Sequence, residues 1–372
     1  MRRLLLLAAV TTATTLPAQG ALSNQGFGYP TGQLSAAALA AGGANAESDP
    51  SSGLNPAAIT QGTRFAIQLQ FEPEWRRTSV GSSHSNATVV RFPTFLATGA
   101  MGRFTGAVGV TTFLDRTWLN QYDDSLLVLG DWIPSTATIA SDGAIGDVRA
   151  ALGYVVNPRL QVGVGIHAMT GEFRTEFTRV FPDTSGVGAL SQRSSIAFSG
   201  TALSLGVVAT PRDNLVLAAS MRSGGEFSVE ENRTAAATAT VPTRFGLGVS
   251  WLAVPGAWVS GRVERVRWTD MEGLGTPSLS VFDATEFGLG VDVLGPRIGG
   301  ANSVVRAGIR DRTLPFGVNG NQVDERAYSF GVGLPVARGR SQVDLAVQRA
   351  VRSTSGASEG GWFVSLGFGI RP

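Results

Sequence analysis

Two histidines, His84 and His167, are the chain's candidates for general acid–base chemistry. A Ser-His-Asp arrangement can be drawn around either, but no Gly-x-Ser-x-Gly elbow marks a nucleophile. Asp123, Asp124 and Asp142 offer carboxylates for calcium without the twelve-residue loop pattern that such sites use, so they read as solvated loop charge. Gly163 and Gly165 are followed by no helix, so they read as strand glycines and not as a phosphate cradle. Cysteine is absent, which removes thiol nucleophiles, disulfides and cysteine-ligated zinc. These residues predict no catalytic site, no metal and no cofactor.

The elements that carry them alternate. Leu160, Val162, Val164 and Ile166 share one parity, while Gln161, Gly163, Gly165 and His167 take the other. Period-2 alternation is the mark of a strand with two unlike faces. The same split recurs at Phe65, Ile67, Leu69 and Phe71, and again at Trp362, Val364, Leu366 and Phe368. About fourteen such segments are predicted between residues 63 and 370, an even count within the range of bacterial membrane barrels. Their connections alternate between short turns, such as Asn157-Pro158, and longer loops at 73–86, 115–144, 174–193 and 230–240. A barrel with turns on one side of a membrane and loops on the other requires that parity.

Composition agrees. Gly is 48 of 372 residues and charged residues are 16%, well below the usual quarter. The charges Arg149, Arg262, Glu264, Glu286, Asp292, Arg306, Arg310 and Asp344 fall on the Gly/Ser parity. Charge facing lipid costs about 2–4 kcal/mol at the bilayer midplane, so this parity is assigned to the lumen. Trp75, Trp251, Trp258, Trp268 and Trp362 fall near strand ends, where an interfacial girdle would put them. The basic residues are scattered arginines with no basic run, which argues against nucleic-acid binding. Residues 1–20 have the charged start, apolar run and Ala18-Gln19-Gly20 end of a cleaved secretory signal. Residues 21–62 precede the first strand and are small, polar and turn-rich, with a helix-compatible patch at 34–41.

That preface carries a resemblance. Gly26-Phe27, then 34–43, then 49–59 with Asn55-Pro56-Ala57, resembles the plug region of the FadL-type outer-membrane transporters of long-chain fatty acids and other hydrophobic compounds. Val241-Pro242-Thr243-Arg244-Phe245-Gly246, followed by Trp268-Thr269, looks like that family's Pro-then-Gly strand and its Trp-Thr strand end. The chain is short for the family and ends in Arg371-Pro372 instead of an aromatic residue.

The resemblance implies an all-β, fourteen-stranded transmembrane barrel (residues 63–372) around an N-terminal plug (residues 21–62). It implies a channel for hydrophobic small molecules and not an enzyme. Its partners would be that substrate, outer-membrane lipid and the outer-membrane assembly machinery. Phe27, Leu34 and Leu39 are the candidate ligand contacts on the plug. Asn55, Pro56 and Ala57 are the expected junction of plug and wall, and Gly106 or Gly109 the site of a kink for sideways exit. Two other readings stay open: a structural or secretion-associated barrel resembling the PorV component of type IX secretion, and a general porin.

Overall fold

The computed structural model describes residues 22–24, 26–62, 64–80, 83–128, 130–231, 234–274, 280–298, 301–318 and 320–370. The secretory signal assigned to residues 1–20, and Arg371-Pro372, lie outside them.

Among the described residues seventeen strands share one sheet. Three are additions: Tyr29–Pro30, Trp118–Val128 and Thr234–Thr240. The remaining fourteen close into an antiparallel barrel: β1 Phe65–Val80, β2 Ser83–Met101, β3 Phe104–Asp115, β4 Asp131–Asn157, β5 Leu160–Val180, β6 Leu190–Arg212, β7 Leu215–Glu231, β8 Thr243–Val254, β9 Ala257–Arg267, β10 Ala284–Ile298, β11 Ala301–Thr313, β12 Asp324–Val336, β13 Ser341–Thr354 and β14 Ala357–Ile370. Closure is made where β14 pairs with β1, from Ile370↔Ile67 to Ala357↔Val80.

The two parities face as the sequence assigns them. In β5, Val164 and Ile166 are 51% and 62% exposed, while Gln161 and His167 are buried. The exposed parity is apolar around the ring, as at Leu247, Leu289, Phe330 and Leu366. Such a belt is stable only against lipid.

The strands are longer than alternation alone predicts, and the loops correspondingly shorter. Crossing the bilayer takes about 9–11 residues, whereas β4 has 27. The expected loop at 73–86 continues the β1–β2 ladder, the one at 115–144 holds the Trp118–Val128 hairpin strand, and 230–240 holds Thr234–Thr240. Beyond the apolar belt neither face meets lipid, so apolar/polar alternation fades while backbone pairing continues. Asp123, Asp124 and Asp142 therefore lie on strands; Asp124 pairs with Arg179, and Asp123 accepts from Thr136.

The tryptophans need one correction. Trp75, Trp251 and Trp362 are exposed on the belt, and Trp258 is half-buried. Trp268 is not in the girdle: it is buried at the start of a 3-10 segment, Trp268–Leu274, that turns inward over the lumen.

Fourteen strands enclose more space than wall side chains fill. Residues 22–24 and 26–61 run through it, in contact with the ring on many sides. A Cβ at Gly308 (β11) would lie 2.3 Å from the Ala41 carbonyl carbon, one at Gly163 (β5) 2.4 Å from that of Pro56, and one at Gly367 (β14) 3.0 Å from Ala36 Cβ. Glycine at these wall positions lets backbone meet backbone. The helix-compatible patch forms one short helix, α1 Ala36–Ala40, whose N-cap Ser35 accepts from the Ala38 N–H at 3.0 Å.

Candidate functional site

Most inward side chains are polar, so an apolar cluster among them stands out. Phe113 (β3), Ile145 (β4), Met169 and Phe173 (β5), Phe198 (β6), Phe227 (β7), Trp268, Met271 and Phe316 are buried together with Phe27 of the N-terminal segment. The rings pack edge-on or stacked, the geometries their quadrupoles favour. Phe27 meets Phe316 at 5.6 Å and 74°, and Phe113 stacks on Trp268 at 5.3 Å and 19°. Phe198 lies 4.7 Å from Phe173. Two guanidiniums border the cluster, Arg222 at 5.0 Å over Phe113 and Arg116 at 5.7 Å over Phe173.

Beside it lies a cavity of about 40 Å³, lined by Gln33, Leu54, Phe113, Arg222, Trp268 and Glu286 among others. A dry cavity that takes benzene measures about 150 Å³. The space present admits water, and a hydrophobic guest must displace side chains to enter.

The N-terminal segment is held below and around this cluster by buried polar contacts. Gln33 donates to Asp147 at 2.8 Å and to Thr111 at 2.6 Å. Glu47 accepts from Arg244 and from Ser220 at 2.6 Å, with Arg262 Nε at 3.4 Å. Tyr29 donates to Glu325 at 2.9 Å while Arg352 and Arg312 lie over its ring at 4.6 and 4.9 Å. Burial pushes the Tyr29 phenol up from its ordinary value against the pull of Arg312, so it keeps its proton and donates.

One contact set has the connectivity of a hydrolase triad. Asp147 Oδ1 lies 2.9 Å from His167 Nδ1, and His167 Nε2 lies 2.8 Å from Ser204 Oγ. A nucleophile must reach a substrate carbonyl. Ser204 is buried against Gly165, the cavity is lined by other residues, and Asp147 is taken up by Gln33 and by Arg222 at 3.4 Å. The set works as a polar clamp on Gln33, and His167 is one of its members.

The named site residues separate. Phe27 joins the aromatic cluster, whereas Leu34 and Leu39 pack with Ala38, Ala40, Ala46, Leu54 and Ala346 in a second cluster. Asn55 is fully buried; its amide donates to the carbonyls of Glu47, Val207 and Ala219, and its Oδ1 accepts from the Ala57 N–H at 2.9 Å. Pro56 abuts Gly163, and Ala57 packs on Val208 and Ala218. Gly106 and Gly109 sit in unbroken register with both β2 and β4. The irregularity of β3 falls instead between Thr112 and Leu114, so Phe113 is the extra residue of a bulge.

At that bulge the wall changes partners. The β2–β3 ladder runs from Met101↔Phe104 to Thr94↔Thr111 and stops at Pro93, which has no N–H to give. Beyond it, Tyr29–Pro30 of the N-terminal segment pair with Asp115 and Leu114 in place of β2. The seam adjoins the aromatic cluster through Phe113.

The candidate contacts expected on the segment include only one member of the aromatic cluster, Phe27; the wall side chains that surround it are not among them. A signal was present: Met169 and Phe173 are apolar on the parity that carries Gln161 and His167.

No family model and no curated protein matches the chain. Solved structures do. The toluene transporter TbuX of Ralstonia pickettii is 15% identical with a TM-score of 0.59, covering 91% of this chain and 98% of that one. A FadL homologue of Pseudomonas aeruginosa is 13% identical at 0.63, covering 92% and 99%. The toluene transporter TodX of Pseudomonas putida is 13% identical at 0.58, covering 94% and 100%. The chain has the fold of the FadL-type outer-membrane transporters.

Proposed function

We propose that this protein is an outer-membrane channel through which hydrophobic small molecules, long-chain fatty acids or aromatic hydrocarbons among them, diffuse into the cell. The observation that carries the reading is the aromatic cluster of Phe27, Phe113, Phe198, Trp268 and Phe316, buried inside the barrel and adjoining the β2–β3 seam. Residues 21–62 act as the plug. They occupy the lumen, the cavity beside the aromatic cluster is water-sized, and their ion pairs with the wall hold them there. A hydrophobic molecule exchanges ring–ring contacts for contacts with itself, at little cost in buried area. It then leaves sideways at the seam, where Tyr29–Pro30 and not β2 completes the β3 ladder. The fold of the toluene transporters and of the FadL homologue supports the reading. Export by the signal at residues 1–20 and insertion by the outer-membrane assembly machinery belong to the same proposal.

Uptake of labelled toluene and labelled oleate into proteoliposomes tests it. Uptake of either supports the channel, and their ratio assigns the substrate. Absence of both, with steady conductance of small polar solutes in planar bilayers, would replace this reading with a general porin.

A further inference from the structure

The outward face carries arginines as well as apolar side chains, and the strand register brings two of them beside one glycine. Gly360 of β14 pairs with Arg77 of β1 on one side and with Val351 of β13 on the other. Arg349 precedes Val351 by two positions and so shares its face. Its guanidinium lies over Gly360: a Cβ there would sit 2.5 Å from Nη2 and 2.9 Å from Cζ. The same guanidinium stands 5.5 Å from the centre of the Trp362 ring. Arg77 is exposed on the parity of Trp75.

No acid of the described residues pairs with either arginine. Glu72, Glu74 and Glu359 of the same strands are buried on the inward parity. Among the described residues neither Arg77 nor Arg349 makes an ion pair, whereas the exterior arginines Arg326 and Arg265 are matched by Asp311 and Asp283. The level is also fixed. Trp75 and Trp362 are register partners and both are exposed on the belt. Trp362 is about eight residues above the end of β14, close to the ~9–11 that span the bilayer. Paired exposed tryptophans at that height mark the headgroup boundary on the side away from the chain's end.

We propose that Arg77 and Arg349 form a binding site for the phosphate of a phosphorylated lipid in the leaflet away from Ile370. Guanidinium forks match phosphate oxygens in pairs, and the stack on Trp362 and Gly360 holds one fork in place before the lipid arrives. The site rests on the barrel crossing a membrane and is independent of what passes through the lumen.

The test is native mass spectrometry of the purified full-length barrel in a neutral detergent, with diphosphoryl lipid A as the probe. Heat-modifiable gel migration verifies the fold of every variant. The wild type retains the lipid; in the double variant Arg77→Gln/Arg349→Gln retention falls about tenfold, the scale of losing charge-assisted contacts. Arg326→Gln retains it as the wild type does. Arg349→Lys, which keeps charge but loses the fork, falls in between. Inorganic phosphate at the same concentration neither binds measurably nor displaces the lipid. Equal retention by the double variant overturns the site. So does equal binding of the dephosphorylated lipid, which would mean that the acyl chains on the apolar belt suffice, or equal binding of free phosphate.

Discussion

Glu47, on the N-terminal segment, and Arg244, on β8, form a buried ion pair that ties the segment to the wall, with Arg262 Nε 3.4 Å from the same carboxylate. Both arginines are shared with Glu264, and Arg262 also donates to Glu286 at 2.6 Å. The network is continuous across β8, β9 and β10. Removing Glu47 leaves two cations short of one acid in a place water reaches poorly, a loss of about 3–5 kcal/mol for one-sided disruption of a buried pair. Glu47→Ala is expected to loosen the segment without opening the barrel, because the strand ladders do not involve it. Planar-bilayer recordings should show new conductance of small ions, and limited proteolysis should cut within residues 22–61. A variant as silent as the wild type would show that the other anchors suffice.

Trp268 stacks on Phe113 at the bulge of β3 and is the only tryptophan in the aromatic cluster among the described residues. On the proposed function, a guest that enters beside the cluster parts those rings. Toluene or oleate is therefore expected to change tryptophan emission in the wild type, and the change should vanish in Trp268→Phe. Phe113→Ala removes the stacking partner at a cost of about 3–5 kcal/mol, and the unfolding midpoint in urea should fall accordingly. An undiminished signal in Trp268→Phe would place the guest elsewhere.

The barrel was legible because lipid imposes a strict rule on every second residue. Val162, Val164 and Ile166 obey it, and so do Tyr328 and Phe330. The rule ends at the edge of the apolar belt, which is why 73–86 and 115–144 read as loops although 73–80 pairs with 83–90 and 118–128 with 131–141. Side-chain pattern reports the solvent of each face and not the hydrogen bonding between strands. The cluster was harder. Phe113, Phe198 and Phe227 come from three strands, and Phe316 from a connection between two others, so only the register of the ring brings them together. In the sequence Trp268, near a strand end, is indistinguishable from a girdle residue; it is the 3-10 segment it opens that buries it.

Asn55 and Gly206 test the fit of the segment from its two sides. A Cβ at Gly206 would stand 1.9 Å from Asn55 Oδ1 and 2.9 Å from Pro56 Cδ, and the buried Asn55 amide has little room to yield. Gly206→Ala is therefore expected to expel the Asn55-Pro56-Ala57 turn. Asn55→Ala leaves the Glu47 carbonyl without its amide donor, at about 1–3 kcal/mol for a group left unsatisfied, while the Val207 and Ala219 carbonyls keep their places in the strand ladders. Both should raise protease sensitivity within residues 22–61 while heat-modifiable migration of the barrel persists. Loss of the folded barrel itself would mean that the turn supports the wall and not only the segment.

Tyr29 supplies a pH dependence with a definite sign. Its phenol donates to Glu325 beneath Arg352 and Arg312, and burial, the largest influence, raises its folded value above the ordinary 10.0. The folded state holds the proton more tightly than the unfolded chain. The resulting stability is fully present below the phenol's ordinary value and is lost as the pH rises through the folded one. In the wild type, protease protection of residues 22–61 should thus hold at neutral pH and decline in the alkaline range. Tyr29→Phe has no proton to lose. It gives up one hydrogen bond to a charged acceptor, about 1.5–3 kcal/mol, while Glu325 keeps Arg312 at 2.7 Å and Arg352 at 2.6 Å. Its protection should be lower at neutral pH and flat through the alkaline range. An equal alkaline decline in Tyr29→Phe would assign the effect to another group, since arginines stay charged there.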